Sequence, residues 1–449
     1  MNNQKIFLLF LQISIISCAI SVSISQLFLG LTLILFLFDK ERRNRIILSN
    51  FIIIIILFFS LYLISFIWNF LRLSPDINFF LHLKQSEFKD ILLFLGFFLT
   101  STLGKDEREK IQFSFIVLCS ILAITGFFSI FSPYRFSYLI NSLFRSVSSW
   151  KFQHHYGSIS GLDLFLPIGL MNTHLTFGGL LGFFSPFIFF SFIDSMRSRK
   201  SIFIIVLEMI SVIIYFSVVL LNNARSSIFG SMLSIIFGLI LGIYVKKEYS
   251  IKILSKYIGI PFFISVVILS GLSFTEPFKK TILPLFGSQK HTDSGRTFIW
   301  DSTFSIIEKH PILGIGPGNY PLEIDFARKE KSEKYPDLLF FYEVTQRGHA
   351  HNDYFHIATI SGIPNSFIYL LICFFILKKI IHLSERGEKT SLFYGLLGFF
   401  FAGCFQCYFQ DDEVVIVFWY LCGFLFSYLT ESSSDLFNRK KIHPNEKIS

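Results

Sequence analysis

The sequence predicts an all-α, polytopic membrane protein of about twelve transmembrane helices with one large helical loop. Three observations carry this: composition, the recurrence of apolar spans, and the placement of basic residues. The chain is 52% hydrophobic, 18% aromatic and 16% charged, with a mean hydropathy of +0.59. A soluble domain of 449 residues could not hide that much apolar surface, whereas a bilayer accommodates it.

The apolar spans fall at approximately 6–20, 26–38, 48–68, 90–104, 111–131, 174–193, 201–221, 226–245, 256–275, 365–380, 391–409 and 413–430. Each approaches the roughly 20 residues that a helix needs to cross hydrocarbon. None alternates with period two, so helices are expected rather than a lipid-facing barrel. From Ile6 to Phe38 the chain is too short for two comfortable spans and too long for one. Ser21, Ser23 and Ser25 in its middle predict a tight hairpin. No small-residue cleavage site follows, which argues against a cleaved signal peptide. Residues 1–275 are thus expected to hold helices one to nine and 276–364 the large outer loop. Helices ten to twelve take 365–430, and 431–449 form an inner tail.

With both termini inside, the inner loops collect most of the 40 basic residues, among them Arg42, Arg43, Arg108, Arg197, Lys246, Lys379 and Lys440. Short outer loops hold few. This is the positive-inside pattern, and it accounts for the net charge of +9 as topology rather than nucleic-acid binding. All six cysteines lie in or beside apolar spans. The pair Cys404 and Cys407 has redox spacing, but in a predicted membrane helix it reads as two packed thiols.

Two outer segments exceed what a connection needs: Ser132 to Leu175, with Arg135, Arg145, His154 and His155, and Glu276 to Pro364. In the second, a helix is predicted to start at Asp293 or Ser294, with Arg296 in its first turn and His310-Pro311 at its end. The run Pro311-Ile-Leu-Gly314-Ile-Gly316-Pro-Gly318-Asn319 superficially resembles a dinucleotide loop. Asn319 stands in place of its third glycine and no βαβ unit surrounds it, so a tight turn packing two short helices is expected. Next comes Gly348-His349-Ala-His351-Asn352-Asp353-Tyr354. Three readings stay open here: a metal-ligand pair, a structural histidine, and a general base at a helix start, where the dipole keeps the imidazole neutral. Asp411, Asp412 and Glu413, between the last two spans, read as a solvated turn.

Four features in order resemble the O-antigen ligase and polymerase superfamily. They are Asn223-Ala-Arg225-Ser, Ser294-Gly-Arg296 with Trp300, the glycine-rich run ending at Tyr320, and His349-Ala-His351-Asn352-Asp353-Tyr354. The twelve-span layout with its large loop before the tenth span is similar too. The family's ligase motif is His, then Asn, Ser or Gln, nine residues, Gly, two residues, then Gly, Thr or Tyr. His351, Asn352 and Gly362 fit it, and Asn365 departs at the last place. The family's Arg-x-x-x-Leu appears as Arg225 to Phe229.

The resemblance implies a GT-C-like fold with a periplasmic loop, in the inner membrane. It implies metal-independent glycosyl transfer, without a cofactor, from a polyprenyl-diphosphate-linked glycan to a sugar hydroxyl of lipid A–core. The alternative acceptor is a carrier-linked glycan, as in a polymerase; a secondary transporter is a more distant reading. His351 would be the general base, with Arg225 and Arg296 holding the diphosphate through bidentate contacts. Asn352 joins the two arginines as a substrate-binding residue. The expected partners are these glycolipids and membrane lipid, with no nucleic acid.

Overall fold

A computed structural model describes residues 3–46, 49–73, 87–138, 151–159, 161–198, 200–248 and 290–428. The expected ninth span at 256–275, Arg145, and the tail at 431–449 lie outside the described residues.

The chain opens with α1 (Asn3–Ser17) and α2 (Val22–Phe38), joined by the hairpin that the serines predict. Next come α3 (Asn50–Leu73), a 3-10 segment Glu87–Phe94 running into α4 (Leu95–Ser101), and α5 (Lys105–Ile130). After the hairpin β1 (His155–Ile159) and β2 (Leu162–Phe165) follow α6 (His174–Arg197), α7 (Ile202–Leu221) and α8 (Arg225–Tyr244). The long segment before the expected tenth span forms α9 (Lys290–Lys309), α10 (Tyr320–Lys334), α11 (Leu339–Val344) and α12 (Asp353–Ser361). The chain then runs through α13 (Ile363–Glu385), α14 (Tyr394–Ala402) and α15 (Asp412–Ser427).

Among the described residues, six helices are long and apolar enough to cross a membrane: α3, α5, α6, α7, α8 and α13. The chain is a multi-pass membrane protein. Shorter helices occupy five other expected spans among the described residues. Around 90–104 the first half is wound as a 3-10 helix, and around 391–409 the helix stops at Ala402. Cys404 and Cys407 are therefore not in a membrane helix, as expected, but in the turn that follows it. The all-α expectation needs one amendment, the two-stranded antiparallel hairpin in the first outer segment.

Burial separates the helices. In α7 only Tyr215, Val218 and Val219 are buried, and Ile202, Phe203, Leu207 and Ile213 are exposed, as on a lipid-facing helix. Every residue of α15 from Val414 to Ser427 is buried, which suits a helix apolar all round. Small residues bring backbones together elsewhere. At Gly230 a Cβ would collide with the carbonyl of Gly398, so α8 and α14 touch through their main chains.

A second, smaller apolar cluster joins Tyr62 of α3 to Ile306, Tyr320, Ile324, Ala350 and Ile360. The glycine-rich run closes it. Ile315 N donates to Thr359 O (2.9 Å) and Gly316 N to Ile360 O (3.0 Å), so the loop caps the last carbonyls of α12. Gly314 and Gly362 both have positive φ, and a Cβ on either would strike backbone of the opposing segment. This is the expected tight turn, with its N–H groups engaged by protein.

Candidate functional site

The site is assembled where α8, α9 and α12 begin or pass, around the turn 403–411. Arg225 is the first residue of α8. The α7–α8 connection is short because Asn223 adopts φ 58°, which an asparagine tolerates better than most residues. Asn222 Nδ2 donates to Pro167 O (2.8 Å) and Tyr156 OH to Leu221 O (2.6 Å), so the β-hairpin segment is tied to this turn. The next residue, Ser226, shares a hydrogen bond with Tyr408 OH (3.0 Å).

Arg296 approaches from α9. That helix is already formed at Lys290, so Asp293 and Ser294 lie inside it rather than capping it, and Arg296 is beyond its first turn. Trp300 sits one turn further on the same face, and its Nε1 donates to Ala350 O (2.9 Å). The helix face that carries Arg296 is thereby fixed against the backbone next to His351.

His351 has φ 51°, a left-handed conformation unusual for a residue with a side chain. Its Nδ1 lies 2.7 Å from Gln406 Oε1, while Gln406 Nε2 lies 3.4 Å from His349 Nε2. The two imidazoles meet edge to face with centroids 4.6 Å apart. Burial holds the His351 pKa below its ordinary value; Gln406 opposes the shift, and the charges of Arg296 and Arg328 add to it. His349 is pushed down to about 3 by burial, His351 and His356. The lowered pKa of His351 favours the neutral imidazole, and its causes are burial and the charges of Arg296 and Arg328 rather than the helix dipole.

The backbone after His351 is anchored in the same turn. Asn352 N donates to Cys407 Sγ (3.3 Å) and Asp353 N to Gly403 O (2.8 Å). The Asn352 side-chain Oδ1 accepts from Phe355 N (2.9 Å), capping α12, and its Nδ2 donates to Cys404 O (2.8 Å). Asn352, expected to bind substrate, is buried with both ends of its amide engaged; it holds α12 in place instead. Asp353 accepts from Phe409 N (3.0 Å), and burial raises its pKa well above the carboxylate range.

Two residues stand here that the sequence did not single out. Arg328 is fully buried; its Nη1 donates to Gln346 O (2.7 Å) and Thr345 Oγ1 (3.2 Å), and burial lowers its pKa to about 10. It falls on the same stripe of α10 as Tyr320 and Ile324, so its place on an apolar face was the available signal. Gln406 gave none. Asp411, expected in a solvated turn, is instead partly buried and accepts from Thr176 Oγ1 (2.6 Å) at the start of α6; burial and Glu413 raise its pKa. His356 is buried beside Tyr320 and 3.7 Å from Glu87.

The described residues contain no group of three or more His, Cys, Asp or Glu placed to hold a metal ion. Arg296 is near enough to His351 for its charge to lower the imidazole's pKa, while Arg225 is linked to this cluster through its neighbour Ser226, bonded to Tyr408; a guanidinium and an imidazole so placed suit binding an anionic group and taking a proton beside it. Residues 210–370 match the family model described as O-antigen ligase. The match takes in Arg225, Arg296 and His351 and stops short of Gln406. No curated protein matches the chain.

Proposed function

We propose that this chain, which over residues 210–370 carries the domain of the O-antigen ligase and polymerase superfamily, is a metal-independent ligase acting at the periplasmic face of the inner membrane. It moves a glycan from a polyprenyl diphosphate carrier to a sugar hydroxyl of lipid A–core. The observation that carries this reading is the setting of His351: its ring is held by Gln406, and burial together with the charges of Arg296 and Arg328 lowers its pKa.

The chemistry is a displacement at the anomeric carbon. The acceptor hydroxyl gives its proton to His351 as its oxygen bonds to that carbon. The bond from the carbon to the diphosphate oxygen breaks, and the polyprenyl diphosphate leaves with the electron pair. Charge grows on the leaving oxygens, where Arg225 and Arg296 offset it; a guanidinium fork matches two phosphate oxygens at once. Arg225 adds the positive end of α8 to its own charge.

The polymerase reading uses the same residues with a carrier-linked glycan as acceptor. Asn365 supports keeping it, because it replaces the last residue of the ligase motif and is buried, donating to Ser361 Oγ (2.9 Å). Lipopolysaccharide gels of a deletion strain separate the two. Bare core with carrier-linked polymer accumulating is the ligase outcome; core bearing a single repeat is the polymerase outcome. Normal lipopolysaccharide would overturn both.

A further inference from the structure

We infer that Gln406 fixes which nitrogen of His351 reacts: its amide oxygen takes the Nδ1 proton, so Nε2 carries the lone pair that receives the acceptor's proton. This rests on the general-base reading of His351.

The argument begins with what an amide oxygen can do. It has lone pairs and no proton, so contact with a ring nitrogen is favourable only when that nitrogen is protonated. At 2.7 Å, His351 Nδ1 is at full hydrogen-bond distance from Gln406 Oε1. A neutral imidazole has one N–H, so Nε2 is left unprotonated. The other end of the amide, its N–H₂, lies 3.4 Å from His349 Nε2, which can accept from it when that nitrogen is unprotonated.

Gln406 is well placed to enforce this. It is 5% exposed, and its N–H bonds to Ala402 O (3.1 Å) at the end of α14. The backbone on either side of His351 is held as well, by the Trp300 bond to Ala350 O and the bond of Asn352 N to Cys407 Sγ.

The charged and titratable neighbours explain why an amide stands here. The charges of Arg296 of α9 and Arg328 of α10 act on His351, and His349 packs against its ring. Asp353 of α12 turns its carboxyl to Phe409 N, and the turn 403–411 brings Cys404, Cys407 and Tyr408. Among the described residues no carboxylate is hydrogen-bonded to the His351 ring. A carboxylate would orient the ring too, but would make it more basic and cancel a positive charge needed for a diphosphate. An amide orients it and leaves the charge unchanged.

The test uses the full-length protein and two substitutions, Gln406→Glu and Gln406→Leu. Deuterium exchange at the imidazole C2–H, read by fragment mass spectrometry, gives the protonation midpoint of His351 without any substrate. Transfer from a lipid-linked donor is followed over the same pH range. Gln406→Glu keeps the shape and should raise the midpoint by about one unit or more, with the acid limb of transfer moving up with it. Gln406→Leu should lower transfer about 10-fold or more at every pH while the midpoint stays low. An unmoved midpoint in Gln406→Glu, or parent-rate transfer by Gln406→Leu, would overturn the inference. A midpoint that moves while the acid limb stays put would overturn the general-base reading itself, leaving only the ring–amide contact.

Discussion

Trp300 Nε1 donates to the carbonyl of Ala350 at 2.9 Å, tying the helix that carries Arg296 to the residue before His351. The bond sets how far the guanidinium and the imidazole stand apart. Trp300→Phe keeps the ring packing and removes the donor. Transfer should fall by about 10-fold or more, since small displacements of reacting groups are costly. Parent-rate transfer with an intact fold would show that packing alone sets the spacing.

His351→Ala should reduce single-turnover transfer from a lipid-linked donor by about 10² to 10⁴, the usual contribution of a general base. His349→Ala should do less. His356→Ala should act mainly on stability, because His356 is buried against Tyr320 and Glu87. Thermal unfolding and transfer rates measured together separate the three. Equal rates for His351→Ala and the parent would remove the base assignment.

The pH dependence has a definite sign. The base is the neutral imidazole, and its pKa is lowered by burial and by two guanidinium groups. Transfer should therefore hold as pH falls through the ordinary histidine value of about 6.5 and decline only below it. Arg296→Ala removes one of those charges and should move this decline to higher pH. Stability follows the same linkage. The unfolded chain takes up protons below about 6.5 that buried His349 and His351 refuse, so stability drops as pH falls from there. A pH–rate profile of the parent and Arg296→Ala checks the first half, and acid unfolding of the parent against His349→Ala and His351→Ala checks the second.

Arg225→Lys should be damaging although charge is kept, because an ammonium cannot grip two phosphate oxygens in a plane. Arg296→Ala should weaken use of the donor more than of the acceptor. With guanidinium groups doing the electrostatic work, transfer should survive EDTA. Loss on chelation with recovery on adding a divalent ion would favour a metal at His349 and His351.

Reporter fusions after Lys105, Arg199, Lys252 and Glu388 should read cytoplasmic, and one at Ser332 periplasmic. The motive is the skew of basic residues along the chain. A cytoplasmic signal at Ser332 would put the site in the wrong compartment and end the glycosyltransferase reading.

Much of this architecture could be read in advance because hydropathy is local. Stretches such as Asn50–Leu73 and Ile202–Leu221 declare themselves by composition. Arg225, Arg296 and His351 were legible because each sits in a short motif. Gln406 was not, because it reaches His351 across 55 residues and nothing in its own neighbourhood marks it. The same holds for the break at Gly403, where an apolar run that looks helical leaves the helix so that Gly403 O can accept from Asp353 N. Asn352 misled because a residue beside a base is easily read as a ligand contact, while its capping geometry depends on where α12 starts.

The turn 403–411 also sets an order in time. Every recognisable motif residue has left the ribosome well before this turn is made, yet Gly403, Cys404, Gln406, Cys407 and Phe409 supply the bonds that seat His351, Asn352 and Asp353. A nascent chain halted after α13 would hold all three motif residues with none of those partners. On the proposed reading, the site is complete only when the final helical pair is in place, so a copy truncated after α13 should sit in the membrane without transferring glycan.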